Sequence, residues 1–284
     1  MATVVLIPNG RLGNNLFQLS LVNYLKIKLP DVKILFPSFP ELGILQSDGF
    51  SEALNNTPDI YFSDHRTQIE QIADYIRIKP TALIHCTAWG MTPEIYSLSQ
   101  NYLRGLVLHN RNLENKISPR DLTFHIRGGD LWQNAWYKRK RHIHMDYSAV
   151  PISFYKKVLQ TAKINSEFIV ESSVPEWYLK MLRKSLGFEL KPSTAAPSVD
   201  FQRIAQGNEI GLGVSTFSWM AAFIGRPTRV HMPILGIFDM GRRPDLDFKN
   251  PSWTITKYEF EEHCWSGTKR DKEWLQSSDC QVVY

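Results

Sequence analysis

With 284 residues, 43% of them hydrophobic and 21% charged, the chain has an ordinary globular composition, and it is long enough for one large domain or two medium ones with full cores. A formal net charge of +5, spread out apart from Lys138-Arg139-Lys140-Arg141, gives no reason to expect a nucleic-acid partner, and that short run reads as a solvated loop. Three widely spaced cysteines, Cys86, Cys264 and Cys280, make no zinc-like pair and fit a reducing compartment, a Cys264–Cys280 disulfide being the other option.

The first residues form a short apolar run, Thr3-Val4-Val5-Leu6-Ile7, that meets Pro8 and Gly10 at once. It is too short for a signal segment or a membrane span and reads as a buried strand. No other stretch is long and apolar enough to span, so a soluble, cytoplasmic chain is expected, with no sugar on the sequon Asn55-Asn56-Thr57. Residues 14–28 put Leu16, Leu19, Val22, Tyr24, Leu25 and Ile27 at helical spacing, and Val32-Lys33-Ile34-Leu35-Phe36 follows as a strand closed by Pro37. This βαβ unit implies a parallel sheet. Helices are expected near 66–78 and 92–106, with a strand at 82–86.

A strand at 122–126 leads into an aromatic and basic loop at 131–147. Residues 151–162 read as a helix with Pro151 near its first turn, and 167–170 as a strand. Ser173 caps a helix that carries Pro175 in its first turn and stops at Gly187. Residues 188–191 and 209–214 read as strands, 200–206 and 217–224 as helices, and 228–232 as another strand. The segment 234–284 is rich in Trp, Pro and charge and shows little periodicity. The result is an α/β chain in two halves, meeting near 145–160.

Three polar turns, each after a strand candidate, carry the chemistry. Gly10-Arg11-Leu12-Gly13-Asn14-Asn15 precedes a helix, an arrangement that suits anions at the helix N-terminus; a plain turn with a capping Asn is equally open. It is neither a GxGxxG nor a Walker sequence. His125-Ile126-Arg127-Gly128-Gly129-Asp130 sets a permanent cation beside two glycines, where the backbone turns and a phosphate can be gripped bidentately. A local Arg127–Asp130 salt bridge and a core histidine at His125 are the structural alternatives. Ser215-Thr216-Phe217-Ser218-Trp219 offers hydroxyls and N–H groups at a helix start, or a simple Ser/Thr cap. Together the turns look like one phosphate-handling cleft.

In this order and at this separation the three stretches resemble the fucosyltransferase superfamily, and within it the α-1,2-fucosyltransferase-like group, glycosyltransferase family 11. That group carries a Gly-Leu-Gly-Asn turn, as at Leu12-Gly13-Asn14, and a His-x-Arg-Arg-Gly-Asp signature, as at 125–130. It also carries a Ser-x-Phe-x-Trp-x-Ala stretch, as at 215–221. Phe154-Tyr155-Lys156-Lys157 and Glu176-Trp177 are further likenesses, and the resemblance runs from residue 1 to about 235.

The resemblance implies a GT-B fold, two Rossmann-like domains facing a cleft: an acceptor-side domain at 1–150 and a nucleotide-sugar-binding domain with an irregular tail at 151–284. It implies an inverting, metal-independent transfer of fucose or a related sugar from a nucleoside diphosphate to a glycan, with no cofactor. No Asp-x-Asp motif stands between strand candidates. Arg127, Asp130, Arg11 and Asn14 are the catalytic candidates. His125, Gly128, Gly129, Glu171, Ser215, Thr216 and Phe217 are the donor-binding candidates, with Ser215 to Phe217 reaching the diphosphate from the other domain. Trp132, Trp136 and Asp146 are the acceptor candidates; the tryptophans, with Tyr137, stack on sugar faces or pack internally. Asp130, Asp146 and Glu171 are the alternatives for general base. Gly128 replaces the signature's second Arg and removes one charge from the phosphate site, for which Arg139, Arg141 or Arg226 are the available substitutes. The donor is therefore open between GDP-fucose and another such as UDP-xylose, and a non-catalytic carbohydrate-binding protein is the competing class.

Overall fold

A run of β-formers that is buried on both faces belongs in a parallel sheet covered by helices, and the first strand behaves this way. In β1 (Thr3–Leu6), Val4, Val5 and Leu6 have no exposed surface. The computed structural model describes residues 1–63, 69–108, 120–132, 145–161, 165–248, 253–266 and 269–283, and the chain divides into two units, 1–115 and 116–284.

In the first unit β1 is followed by α1 (Leu12–Lys28), β2 (Lys33–Leu35), α2 (Phe50–Asn55), β3 (Ile60–Phe62), α3 (Ile69–Ile78), β4 (Leu83–Cys86) and α4 (Pro93–Leu108). The sheet runs β2-β1-β4-β3, with all pairs parallel. One face packs Val4, Leu6 and Ile84 against Leu21, Val22 and Leu25 of α1 together with Ile72 and Ile95. The other packs Val5 and Leu35 against Phe50 of α2.

The second unit contains β5 (Leu122–Ile126), α5 (Ile152–Thr161), β6 (Ser166–Val170), α6 (Glu176–Leu186), α7 (Pro197–Ala205), β7 (Glu209–Gly211), α8 (Thr216–Gly225) and β8 (Arg229–Ile234). It ends with β9 (Thr254–Phe260), α9 (Lys269–Ser277) and β10 (Cys280–Val283). Its sheet runs β10-β9-β8-β7-β5-β6, parallel except for β10. The unit's first strand thus has its second on one side and its third on the other. This reversal is a topological switch point at the carboxyl ends of β5 and β7, where open α/β sheets bind ligands.

Several expectations need correction. A boundary at 150 would cut the second sheet, because β5 pairs with both β6 and β7; the second unit begins before β5. No strand forms at 188–191, where a single bridge joins Val170 and Pro192; the imino acid cannot donate to a ladder. The tail is not irregular: β9 and β10 extend the sheet beyond β8. In β9 Thr256 and Tyr258 are buried, whereas Thr254 and Glu259 are exposed, a half-buried pattern that polar residues mask. All three cysteines are free, so Cys264 and Cys280 form no disulfide. Among the described residues no helix is long and apolar enough to cross a membrane. The basic run at 138–141 and the aromatic pair Trp136 and Tyr137 lie outside the described residues.

Candidate active site

Every residue of β5 is buried, and the strand, paired on both sides by β6 and β7, delivers Arg127 to the switch point. Arg127 Nη1 donates to Val214 O at 2.6 Å, across the gap to the β7 side. Arg127 Nη2 donates to Asp130 Oδ1 at 3.1 Å. The guanidinium carbon lies 4.8 Å from the centre of the Tyr147 ring, and Tyr147 OH donates to Asp130 Oδ2 at 2.5 Å. The side chain is 11% exposed, and Arg127 Nε is buried with no hydrogen-bond partner among the described residues. A guanidinium keeps its charge under these conditions. An unmatched buried donor on it is costly and calls for an acceptor, which a water or an anion can supply.

The two glycines after Arg127 have different reasons to be there. Gly129 has φ +72, the left-handed conformation that favours glycine, and its N–H donates to Ser173 Oγ. Gly128 lacks room. A Cβ there would meet Ser173 Oγ, lie 2.9 Å from Glu171 Cβ and 3.2 Å from Val174 N. The turn after β6 therefore closes directly over Gly128. Any side chain at 128 requires the 171–174 turn to shift.

His125 is wholly buried, with Nε2 3.2 Å from Glu171 Oε1. That is an ion-pair distance without hydrogen-bond alignment, and neither ring nitrogen has a hydrogen-bond partner among the described residues. The Phe217 ring covers it at 5.2 Å between centroids. His125 thus supports the site from below, while Glu171, with a side chain 22% exposed, stands at its edge. Ser215 is the N-cap of α8, its hydroxyl accepting from Phe217 N at 3.1 Å. The capping alternative holds for that side chain, and the first-turn amides of α8 remain as the anion-facing feature. Thr216 and Phe217 are half-buried in that turn.

Arg127 and Ser215 to Phe217 were expected on opposite domains. They stand on one sheet edge of one unit, joined by the Arg127–Val214 bond. The acceptor candidates fare differently. Trp132 is 3% exposed and enclosed by Trp177, Tyr178 and Trp265 at 5.0–5.6 Å between centroids. Its Nε1 donates to Arg127 O at 2.9 Å. It packs internally and presents no face for a sugar. Trp136 lies outside the described residues. Asp146 lies 3.6 Å from Arg242 and 3.4 Å from Arg243, and its backbone carbonyl accepts from Ile237 N at 3.0 Å. It fastens the loop to the segment after β8. Tyr147, Ser173, Arg242 and Arg243 are the site's contributors that sequence reasoning missed. The Arg-Arg pair is visible as a dipeptide, but nothing local ties it to Asp146.

In the first unit Arg11 and Asn14 follow β1. Gly10 has φ +91, and a Cβ on it would run into the Asn14 side chain. Arg11 is exposed and takes the N-cap of α1 without a side-chain cap. Gln18 braces the turn, donating from Nε2 to Ile7 O at 2.9 Å and accepting from Asn9 N at 3.2 Å. Trp89 Nε1 donates to Asn9 O at 2.9 Å. The turn lies at the carboxyl end of β1, between β2 and β4, which is the switch point of the first sheet. Among the described residues no group of three or more His, Cys, Asp or Glu is arranged to hold a metal ion.

Among solved structures the chain is similar to Escherichia coli heptosyltransferase WaaC with ADP, at 11% identity and a TM-score of 0.44, over 90% of this chain and 91% of that one. It is also similar to a substituted Arabidopsis thaliana FUT1 in complex with GDP, at 11% identity and a TM-score of 0.47, over 99% of this chain and 73% of that one. A comparison with curated proteins finds no match. The sequence model of glycosyl transferase family 11 matches residues 88–257. That span is more than half of the chain and contains β5 to β8, the Arg127 turn and the α8 cap; the chain belongs to glycosyl transferase family 11 and is a glycosyltransferase built of two α/β units, each with a mainly parallel sheet.

Proposed function

We propose that the chain transfers fucose or a closely related sugar from a nucleoside diphosphate to a glycan hydroxyl, with inversion and without a metal ion. The observation that carries this reading is Arg127: a guanidinium at the switch point, held from two sides, with a buried Nε–H still unmatched. Breaking the sugar–phosphate bond builds negative charge on the leaving diphosphate. A fixed cation and the first-turn amides of α8 stabilise that charge more than the ground state, which lowers the barrier. In this reading Asp130 orients Arg127, since its Oδ1 accepts from Arg127 and from Leu131 N, and its Oδ2 from Tyr147. Arg11 and Asn14 of the first unit act on the sugar or acceptor.

A donor-hydrolysis and transfer screen that includes GDP-fucose and UDP-xylose tests the reading. One donor, expected to be GDP-fucose, is consumed, and consumption persists in EDTA. Arg127→Ala lowers turnover by about a hundredfold or more with the fold retained by circular dichroism. Near-normal turnover in that variant overturns the diphosphate role. Glycan binding with no nucleotide binding in isothermal titration supports the non-catalytic carbohydrate-binding class instead.

A further inference from the structure

Arg127, Asp130 and Tyr147 form a closed circuit. Arg127 reaches Asp130 Oδ1, Tyr147 reaches Asp130 Oδ2, and the Tyr147 ring covers the guanidinium face. Asp130 is 39% exposed, and an exposed carboxylate alone holds a cation weakly, because water screens the pair and both side chains keep their freedom. The Tyr147 hydroxyl removes that freedom from Asp130, and the ring adds a cation–π contact to Arg127. The backbone behind Tyr147 is fastened in turn. Ile237 N donates to Asp146 O at 3.0 Å, and the Asp146 carboxylate pairs with Arg242 and Arg243. The 145–148 segment is thereby pinned to the stretch after β8, although it stands beside a turn at the end of β5.

We infer that Tyr147 is a positioning residue: its ring and hydroxyl fix the direction in which Arg127 presents its remaining N–H groups to a phosphate. This rests on the proposed diphosphate site and adds to it a residue that touches neither the sugar nor the phosphate.

The test is a double-mutant cycle on the full-length protein, read by titration with GDP, UDP and ADP in turn. Tyr147→Leu removes ring and hydroxyl; Tyr147→Phe removes only the hydroxyl. For whichever diphosphate binds, Tyr147→Leu weakens affinity about tenfold and Tyr147→Phe about two- to threefold. In an Arg127→Lys background, where the planar fork is gone, each Tyr147 substitution costs less than about twofold. Equal losses in both backgrounds overturn the inference, because a merely structural tyrosine weakens both alike. Should the leucine variant fail to fold, the phenylalanine cycle decides on the same criterion. If the unsubstituted protein binds none of the three diphosphates, the functional reading itself fails. That result is distinct from binding with additive losses, which overturns the tyrosine's role alone.

Discussion

Gly128 occupies the position at which the resembled signature carries a second Arg, and its surroundings state what a side chain there would meet. Ser173 Oγ, Glu171 Cβ and the backbone N of Val174 close over it. Adding a charge was the attractive remedy for a site one cation short; the packing argues against it. Gly128→Ala already forces the 171–174 turn to shift, and is expected to lower unfolding stability by about 1–3 kcal/mol in urea denaturation. Gly128→Arg is expected to bind no nucleoside diphosphate more tightly than the unsubstituted protein. A tighter site in titration of the Arg variant shows that the turn opens and that charge was limiting. At this scale Arg127 was legible, because an Arg after a strand and before two glycines is a local pattern. The Tyr147 circuit was not, because its members are separated by a loop whose sequence carries no period.

At the scale of elements, the sheet beyond β5 is stitched by a buried histidine that takes no part in the site. His231 on β8 is 1% exposed, with Nε2 2.8 Å from Glu209 Oε2 on β7 and Nδ1 2.9 Å from Tyr258 OH on β9. Burial lowers its pKa from the ordinary 6.5; Glu209 pulls in the other direction, and Arg229 adds to the lowering. The folded state therefore binds a proton less readily than the unfolded chain. The histidine's contribution is complete above about pH 6.5 and declines as pH falls from there toward the lowered folded value. Unfolding midpoints measured from pH 8 to pH 5 are expected to fall more steeply for the unsubstituted protein than for His231→Gln. Parallel curves for the two proteins discount the histidine. The strand at 228–232 was readable in the sequence, but its partners were not. Alternation puts His231 on the side of Arg229, opposite Val230 and Met232, and only the strand order shows that this side is buried too.

For the molecule as a whole, each unit has its own sheet and helices, and the first has its own apolar clusters on both faces. Units built this way unfold as separate cooperative steps. Differential scanning calorimetry is expected to show two transitions. A bound nucleoside diphosphate should raise only the one assigned by limited proteolysis to 116–284, by about 2.7 kcal/mol at a hundredfold excess over Kd. A single transition means that the units unfold together. A ligand shift confined to the 1–115 transition removes the diphosphate from Arg127.

By itself the sequence determined the α/β class, most strands and helices, and the three polar turns, because each is written in neighbouring residues: apolar runs, helical spacing, Gly and Pro punctuation. It also carried the resemblance to the family to which the chain belongs, since that rests on short motifs in a fixed order. Tertiary structure alone decided that β5 lies between β7 and β6 in the second sheet, so that Arg127 and the Ser215 cap share one edge. It alone decided that the polar tail supplies β9 and β10, that Trp132 is enclosed by other rings, and that Ser173 closes over Gly128. The physical reason is common to all of these. Local periodicity specifies that a segment is a strand or a helix and which side is buried. Pairing partners and close approaches between distant segments are settled by which packing buries the most apolar surface while satisfying every backbone hydrogen bond, and no window of sequence contains that comparison.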